Sequence, residues 1–354
     1  MPVAIRRTAL VLLAAAVLFL SLLSWQPNRI LPGVGQYAYQ LLPAYLLAAL
    51  AVIWLLSWRW QTAFIALLFA FPLLVYVASL QAPDNNRIGI GGAVWLLFAL
   101  SMIFALQLPR AKLLVALLLF AWVGLLWGQP MLSLHLEFVQ QQGAFWQELL
   151  MHLQLVVLSL AITIVISALL VLFTLNRWLN ERLVFAILSF LQTIPSIALF
   201  GLLMVPLSLL SKAAPWLGVS GIGATPAVIA LVAYSLLPMV RNALVGLRSV
   251  ELAVLNAAQG MGMTPGQIFW QVRMPLAMPV IIEGVRITTV QAIGLVVVAA
   301  LVGAGGMGRF VFQGLGQSAM ELVLIGALPT VVMAILADVF FSWLAKKVRN
   351  DRAL

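Results

Sequence analysis

Long apolar runs separated by short polar breaks set the pattern of the chain. They fall at about 8–25, 41–57, 62–82, 92–108, 112–128, 153–174, 183–206, 224–240, 284–304 and 323–345. Each approaches the roughly 20 residues that carry a helix across a hydrocarbon core. Inside lipid every backbone N–H must be paired within its own element, so unbroken runs of this length predict helices. The pattern therefore predicts ten transmembrane helices. The breaks between them hold the Pro, Asn, Asp, Arg and Lys that loops use.

Composition agrees with the pattern. The chain is 64% hydrophobic and 8% charged, with a mean hydropathy of +1.14. A soluble domain carries about a quarter charged residues, so polar surface here is too scarce to cover a water-facing exterior. Cysteine is absent, which removes disulfides and thiolate chemistry from consideration. The net charge of +10 would suit nucleic acid, but no basic run is interleaved with aromatics. Its distribution has a simpler cause. With the N-terminus inside and the spans alternating, fifteen of the nineteen Lys and Arg fall in cytoplasmic segments; only Arg29, Arg87, Lys212 and Arg309 fall outside. That bias orients membrane proteins and predicts both termini in the cytoplasm. Arg6 and Arg7 before the first run resemble the start of a signal peptide. The run is long, however, and no small-x-small site precedes Gln26-Pro27-Asn28, so an uncleaved first span is expected.

The breaks divide the chain into regions. Residues 1–128 give five spans with short loops. Residues 129–152 form a polar, amphipathic outer connector with His135, Glu137, Gln140, Gln141, Gln142 and Glu148. Residues 153–354 give five more spans, interrupted by a cytoplasmic loop at 241–283.

That loop is the most informative stretch. It contains NAAQGMGMTPGQIFWQVRMPLAMP, Asn256 to Pro279. Ala257, Ala258 and Gln259 favour helix, and Gly260 and Gly262 permit a sharp bend. Thr264 can cap a second short helix with Pro265 at its first position. Gln267, Ile268, Phe269, Trp270 and Val272 would follow in that helix, and Pro275 and Pro279 are expected to end the segment. The product is a helix–turn–helix on the membrane surface that offers an apolar knob to the cytoplasm. Phe269 and Trp270 have two open roles, as a buried anchor or against lipid headgroups.

The spacing resembles the EAA loop of ABC-importer permeases: Glu-Ala-Ala, three residues, Gly, nine residues, Ile-x-Leu-Pro. Ala257, Ala258, Gly262 and Pro275 match in register, Val272 and Met274 stand at the Ile and Leu positions, and Asn256 replaces the Glu. In that family the loop docks in a groove of an ATPase subunit, and the missing carboxylate removes one expected ion pair. LQTIPSIALFGLL (191–203), YSLLPMVRNALVGL (234–247) and GAGGMGRFVFQGLG (303–316) look like the branch that imports glycine betaine, choline, carnitine and related osmoprotectants. The likeness covers about 150–345. The extra N-terminal spans resemble those of its longer Yeh-type permeases. The resemblance implies an all-α integral membrane fold with a C-terminal five-helix type I importer (MetI-like) core. It also implies a separate ATPase carrying ATP and Mg, a periplasmic solute-binding protein, a second permease, identical or different, and the bacterial inner membrane as site. No cofactor or catalytic residue is expected on this chain, and no Walker A motif occurs in it.

Candidate pathway-lining groups are the polar residues within the core spans: Gln192, Thr193 and Ser196 around Pro195, Tyr234 and Ser235 before Pro238, and Thr288, Thr289 and Gln291. Gln192 and Ser196 are four apart, and Thr288 and Gln291 three apart, so each pair shares a helix face. Interhelical hydrogen bonding is the alternative role for each. Asp338 is the one acid well inside a span. An intramembrane carboxylate needs a partner, and Arg286 is the expected one, as a structural clamp. His135, Glu137, Glu148 and His152 match no compact metal motif, so no metal is expected. Gly303-Ala304-Gly305-Gly306-Met307-Gly308 fits G-x-G-x-x-G, but it follows a lipid-length span rather than a strand, so a close-packing backbone turn is expected instead of a dinucleotide site.

Three other functions compete. An integral-membrane enzyme would need clustered acids and histidines, and here they are scattered. A purely structural membrane protein would have no use for the bent cytoplasmic knob. A secondary carrier, or an ABC permease for another solute such as an amino acid, shares most of these features and is separated by ATP dependence and substrate.

Overall fold

The computed structural model describes residues 3–26, 33–57, 61–82, 87–105, 117, 118, 121, 122, 124 and 132–350. They divide into two compact units. One holds Met1–Gln141 with Gln317–Glu321; the other holds Gln142–Gly316 with Leu322–Leu354.

The first unit contains α1 (Val3–Phe19), β1 (Leu23–Gln26), β2 (Val34–Gln36), α2 (Ala38–Leu41), α3 (Ala44–Ser57), α4 (Gln61–Ser79), β3 (Arg87–Ile90) and α5 (Gly92–Ala105). Apolar side chains on nearly every face leave the helices free to choose their packing by shape. Leu10, Leu13, Phe64, Leu67, Phe71 and Leu97 form the core. Polar groups in these runs satisfy themselves locally. Ser57, Ser79 and Ser101 each donate to the carbonyl three residues back, at 2.6, 2.6 and 2.8 Å, and the indole of Trp54 donates to the Leu10 carbonyl at 3.1 Å. The three short strands form an antiparallel sheet in the order β2-β1-β3, with Ser24 opposite Gly35 and Gly89. A purely helical reading of this region missed it. The apolar run at 8–25 ends its helix at Phe19 and turns into β1, because the Ser-rich stretch Ser21–Trp25 finds ladder partners there.

The second unit carries the long spans. Its helices are α6 (Ser133–Leu175), which begins in the first unit, α7 (Glu181–Thr193), α8 (Ser196–Ala213), α9 (Ala224–Arg248), α10 (Leu252–Gly260), α11 (Pro265–Gln267), a π-helical run Ile268–Arg273, α12 (Met274–Ala299), α13 (Gly308–Gly316) and α14 (Met320–Asn350). Five helical stretches are long and apolar enough to cross a membrane: 133–175, 196–213, 224–248, 265–302 and 320–349. Arg7–Phe19, Leu46–Ser57, Ala63–Ser79 and Gly92–Ser101 are shorter apolar helices. The span expected at 112–128 lies mostly outside the described residues.

Two boundaries differ from the hydropathy pattern for a covalent reason. The run 183–206 is not one helix. Pro195 has no N–H and pushes the residue before it out of the helical region. Ile194 accordingly has ψ 127, and the run splits into α7 and α8. Conversely, Pro275 and Pro279 do not end the segment at 256–279. Pro275 follows directly on the π-helical run Ile268–Arg273, through which the helix continues, and Pro279 lies within the helix.

The α9 and α12 helices pack closely. A Cβ on Gly246 would lie 3.0 Å from Val280 Cβ, and one on Gly284 would lie 2.7 Å from Asn242 Cβ. Small residues at such crossings let backbones approach and substitute for the hydrophobic drive that lipid removes.

Candidate functional site: the capped bend and the proline-broken core

The bend at residues 256–275 is built from two helix caps placed back to back. At the end of α10 the Met263 N–H reaches the Ala258 carbonyl at 3.2 Å and the Gly262 N–H reaches the Gln259 carbonyl at 2.9 Å. This is the 6→1 and 5→2 pair of a Schellman cap, whose C′ position needs a left-handed backbone. Gly262 occupies it with φ +82. Two residues on, Thr264 Oγ1 accepts from the Gln267 N–H at 3.4 Å, and Gln267 Oε1 accepts from the Thr264 N–H at 2.8 Å. Pro265 takes the first helical position. That is a capping box. The next six residues form π turns, with the Met274 N–H bonded to the Phe269 carbonyl, and the helix then runs on to Val302. The second helix of the bend is thus the start of a membrane span, not a separate surface helix.

The bend presents apolar surface. Leu252, Met261 and Trp270 are 75%, 76% and 65% exposed, while Ala258 is buried. Asn256 and Ala257 are exposed, and Val272, Met274 and Pro275 are half-buried. A cleft of about 630 Å³ opens here, lined by Leu172 of α6, by Asn176 just beyond it and by Gln259, Met263, Phe269 and Trp270. Phe269 and Trp270 meet edge to face with centroids 5.1 Å apart. One contact ties the bend to α9: Arg273 Nε donates to the Leu247 carbonyl at 2.7 Å. Beside it, Arg248 at the end of α9 makes a bidentate pair with Glu181 of α7 at 2.8 and 2.7 Å. That guanidinium holds the Glu181 carboxyl below its ordinary range.

Gln192, Tyr234 and Asn242 sit around two prolines. Pro238 cannot donate to the Tyr234 carbonyl one turn before it; Gln192 Nε2 donates there instead, at 2.8 Å. The Ile194 carbonyl, freed by the break at Pro195, accepts from the Tyr234 hydroxyl. The two helices therefore exchange hydrogen bonds at the two backbone faults. Asn242 donates to the Pro238 carbonyl at 2.8 Å. Thr193, Thr288 and Thr289 bond back to their own helices at 2.7, 2.8 and 2.7 Å. Ser235 is buried, while Ser196 and Gln291 are half-buried. Arg286 Nη1 donates to Asp338 at 2.9 Å and to Ser342 at 3.1 Å, with Glu283 2.7 Å from its Nε. Sequence reasoning missed Gln192 and Tyr234 as partners of each other. The proline in each segment was the available signal.

The glycine-rich stretch after α12 is a turn. Gly303, Gly305 and Gly306 have φ of +80, +78 and +84, and no strand precedes it. It receives Glu148 and His152 of α6. Among the described residues no three His, Cys, Asp or Glu converge as ligands.

Residues 165–350 match the family of binding-protein-dependent transport system inner membrane components, over more than half the chain. The chain belongs to that family. This permease is 38% identical over 164 residues to the glycine betaine/carnitine/choline transport system permease protein OpuCD of Bacillus subtilis (strain 168), covering 46% of this chain and 66% of the relative. It is 39% identical over 203 residues to the osmoprotectant import permease protein OsmW of Salmonella typhimurium, covering 56% and 86%. Among solved structures, an inward-facing MetNI methionine ABC transporter is similar with a TM-score of 0.48 and 21% identity, over 58% of this chain and 94% of that one. The permease is a mostly helical, multi-pass membrane component of an ABC importer and not an enzyme. In this family ATP is hydrolysed on a separate subunit, and a binding protein supplies the solute. The first five helices lie outside the matched stretch.

Proposed function

We propose that this permease translocates small quaternary-amine osmoprotectants such as glycine betaine, choline or carnitine. The supporting observation is the likeness to permeases named for those solutes, together with a core that offers half-buried polar groups. A zwitterion with a soft cationic head must be guided without being held. Ser196 and Gln291, beside Gln192, Thr193, Tyr234, Ser235 and Thr288, are the proposed lining. Arg286 and Asp338 clamp the last two spans. The bend at Asn256–Pro275 docks on the ATPase through its exposed apolar residues. ATP-driven closure of that partner then rocks α12, which starts at the bend. Both termini lie in the cytoplasm of a bacterial inner membrane. Residues 1–128 form a membrane region, 129–152 an outer connector and 153–354 the permease core, which pairs with a second permease.

The test is uptake of labelled betaine, choline and carnitine by vesicles holding the permease, its ATPase and its binding protein. ATP-dependent import of one of these supports the proposal. Import of methionine alone would displace the substrate, and import without ATP would favour a secondary carrier.

A further inference from the structure

The glycine turn and the buried Glu148 and His152 are unused by the function proposed so far. They are four residues apart on α6 and face the turn together. Glu148 Oε2 accepts the Gly306 N–H at 2.7 Å, and Oε1 accepts Arg309 Nη1 at 2.6 Å. His152 Nδ1 accepts the Met307 N–H at 3.3 Å. An N–H donor on Nδ1 fixes the proton on Nε2, which therefore donates to the Ile293 carbonyl of α12 at 3.2 Å. His152 is fully buried. The glycines make this grip possible. A Cβ at Gly305 would lie 3.0 Å from the Glu148 carboxylate, and one at Gly308 would lie 2.0 Å from the Val297 carbonyl.

More of the core meets here. The Gly223 N–H bonds to the Val302 carbonyl at 2.8 Å. A Cβ on Gly326 of α14 would lie 2.5 Å from the Met307 carbonyl. Phe310 of α13 lies on Phe145 of α6 with centroids 6.5 Å apart. The helical stretch from Pro265 to Val302 is continuous. At 1.5 Å per residue it is a rod of about 57 Å, with the cytoplasmic bend at one end and this joint at the other.

We propose that Glu148 and His152 are positioning residues that keep the turn rigidly fastened to α6, so that a displacement of α12 made at the cytoplasmic bend is delivered to α6 at the far end of the rod. Rigid, discrete packing is what carries such a displacement. The inference rests on the importer reading. Its distinct content is that the joint stays closed through the cycle and is needed for coupling, not for folding or hydrolysis.

The experiment uses the assembled transporter in vesicles, with Glu148→Gln and His152→Phe. Each is expected to lower uptake about tenfold, the scale for one charge-assisted or doubly buried hydrogen bond, while ATP hydrolysis stays within about twofold of the parent. Parallel loss of uptake, hydrolysis and assembled complex would mark a structural role and overturn the proposal, as would unchanged uptake. In the cysteine-free chain, Phe145→Cys with Phe310→Cys joined by a short thiol-reactive bridge re-fastens the turn. The bridge is expected to leave parent uptake intact and to restore it in Glu148→Gln. A bridge that blocks the parent would show that the joint opens, and one that fails to rescue would show that fastening is not what Glu148 supplies. If parent vesicles import nothing with ATP, the importer reading itself has failed. Amide exchange at Gly306 and Met307 separates the cases, because the joint predicts faster exchange at both in Glu148→Gln whether or not transport occurs.

Discussion

Replacing Gly262 by alanine isolates what the bend contributes. The position has φ +82, and a Cβ there would meet nothing within 4 Å. The substitution therefore creates no clash within the chain. Its cost is the left-handed backbone alone, about 1–2 kcal/mol for a residue with a Cβ. A penalty of that size depletes the bent form by a factor of roughly 5–30. If the ATPase recognises the bent form, its apparent Kd for the permease rises by the same factor. Asparagine tolerates the left-handed region better than alanine, so Gly262→Asn should weaken docking less. Gly260 is helical, and its Cβ would also meet nothing within 4 Å. Gly260→Ala gains up to about 1 kcal/mol of helix propensity and should leave docking unchanged or tighter. Affinity of the solubilised permease for its ATPase, measured beside ATP-driven uptake, should follow the order Gly260→Ala, Gly262→Asn, Gly262→Ala. A different cause predicts a different order. If glycine is required because the partner's groove leaves no room for a side chain, the bulkier asparagine will be worse than alanine. That result would refute the backbone argument.

Four further expectations follow from particular contacts. Tyr234→Phe strands the Ile194 carbonyl and should destabilise the chain by about 0.6–1.7 kcal/mol, the range for interhelical bonds in membranes; in a cycle with Gln192→Leu the two losses should be coupled, and strict additivity in detergent unfolding would count against a shared proline site. Asp338→Arg and Arg286→Asp should each reduce uptake, and the double swap should recover part of it, whereas two additive losses would argue against the clamp. Glu181 is held below its ordinary range by Arg248, so its contribution is present above the unfolded carboxylate value near about 4.3 and disappears as pH falls through the lower folded value; the difference in melting temperature between the permease and Glu181→Gln should therefore be constant from neutral pH to about 5 and vanish in stronger acid. The exposed geometry keeps that difference small. Gly308→Ala would place a Cβ 2.0 Å from the Val297 carbonyl and should cost at least about 1–3 kcal/mol of stability, while Gly294→Ala, with open space around it, should be tolerated.

The residues that were legible in sequence are those whose chemistry is local. Thr264, Pro265 and Gln267 name a helix start because the cap is made within four residues, and Gly262 names a bend because only its own φ is at issue. The long apolar runs name helices because lipid leaves the backbone no other partner. What stayed hidden depends on a second segment. Pro195 was visible as a possible break, but whether a proline ends a helix or is absorbed depends on who satisfies the carbonyl it orphans. At Pro195 the chain opens and Tyr234 donates to Ile194. At Pro238 the helix continues because Gln192, 42 positions from its acceptor Tyr234, fills the vacant place. The glycine turn gives the same lesson. Its spacing suggested a nucleotide fingerprint, yet the anion its amides hold is the chain's own Glu148, 158 residues away. Pattern thus locates backbone faults in a membrane protein, and the helices that pack beside them decide what those faults do. The polar side chains of the core spans are read most economically as repairs to the backbone first.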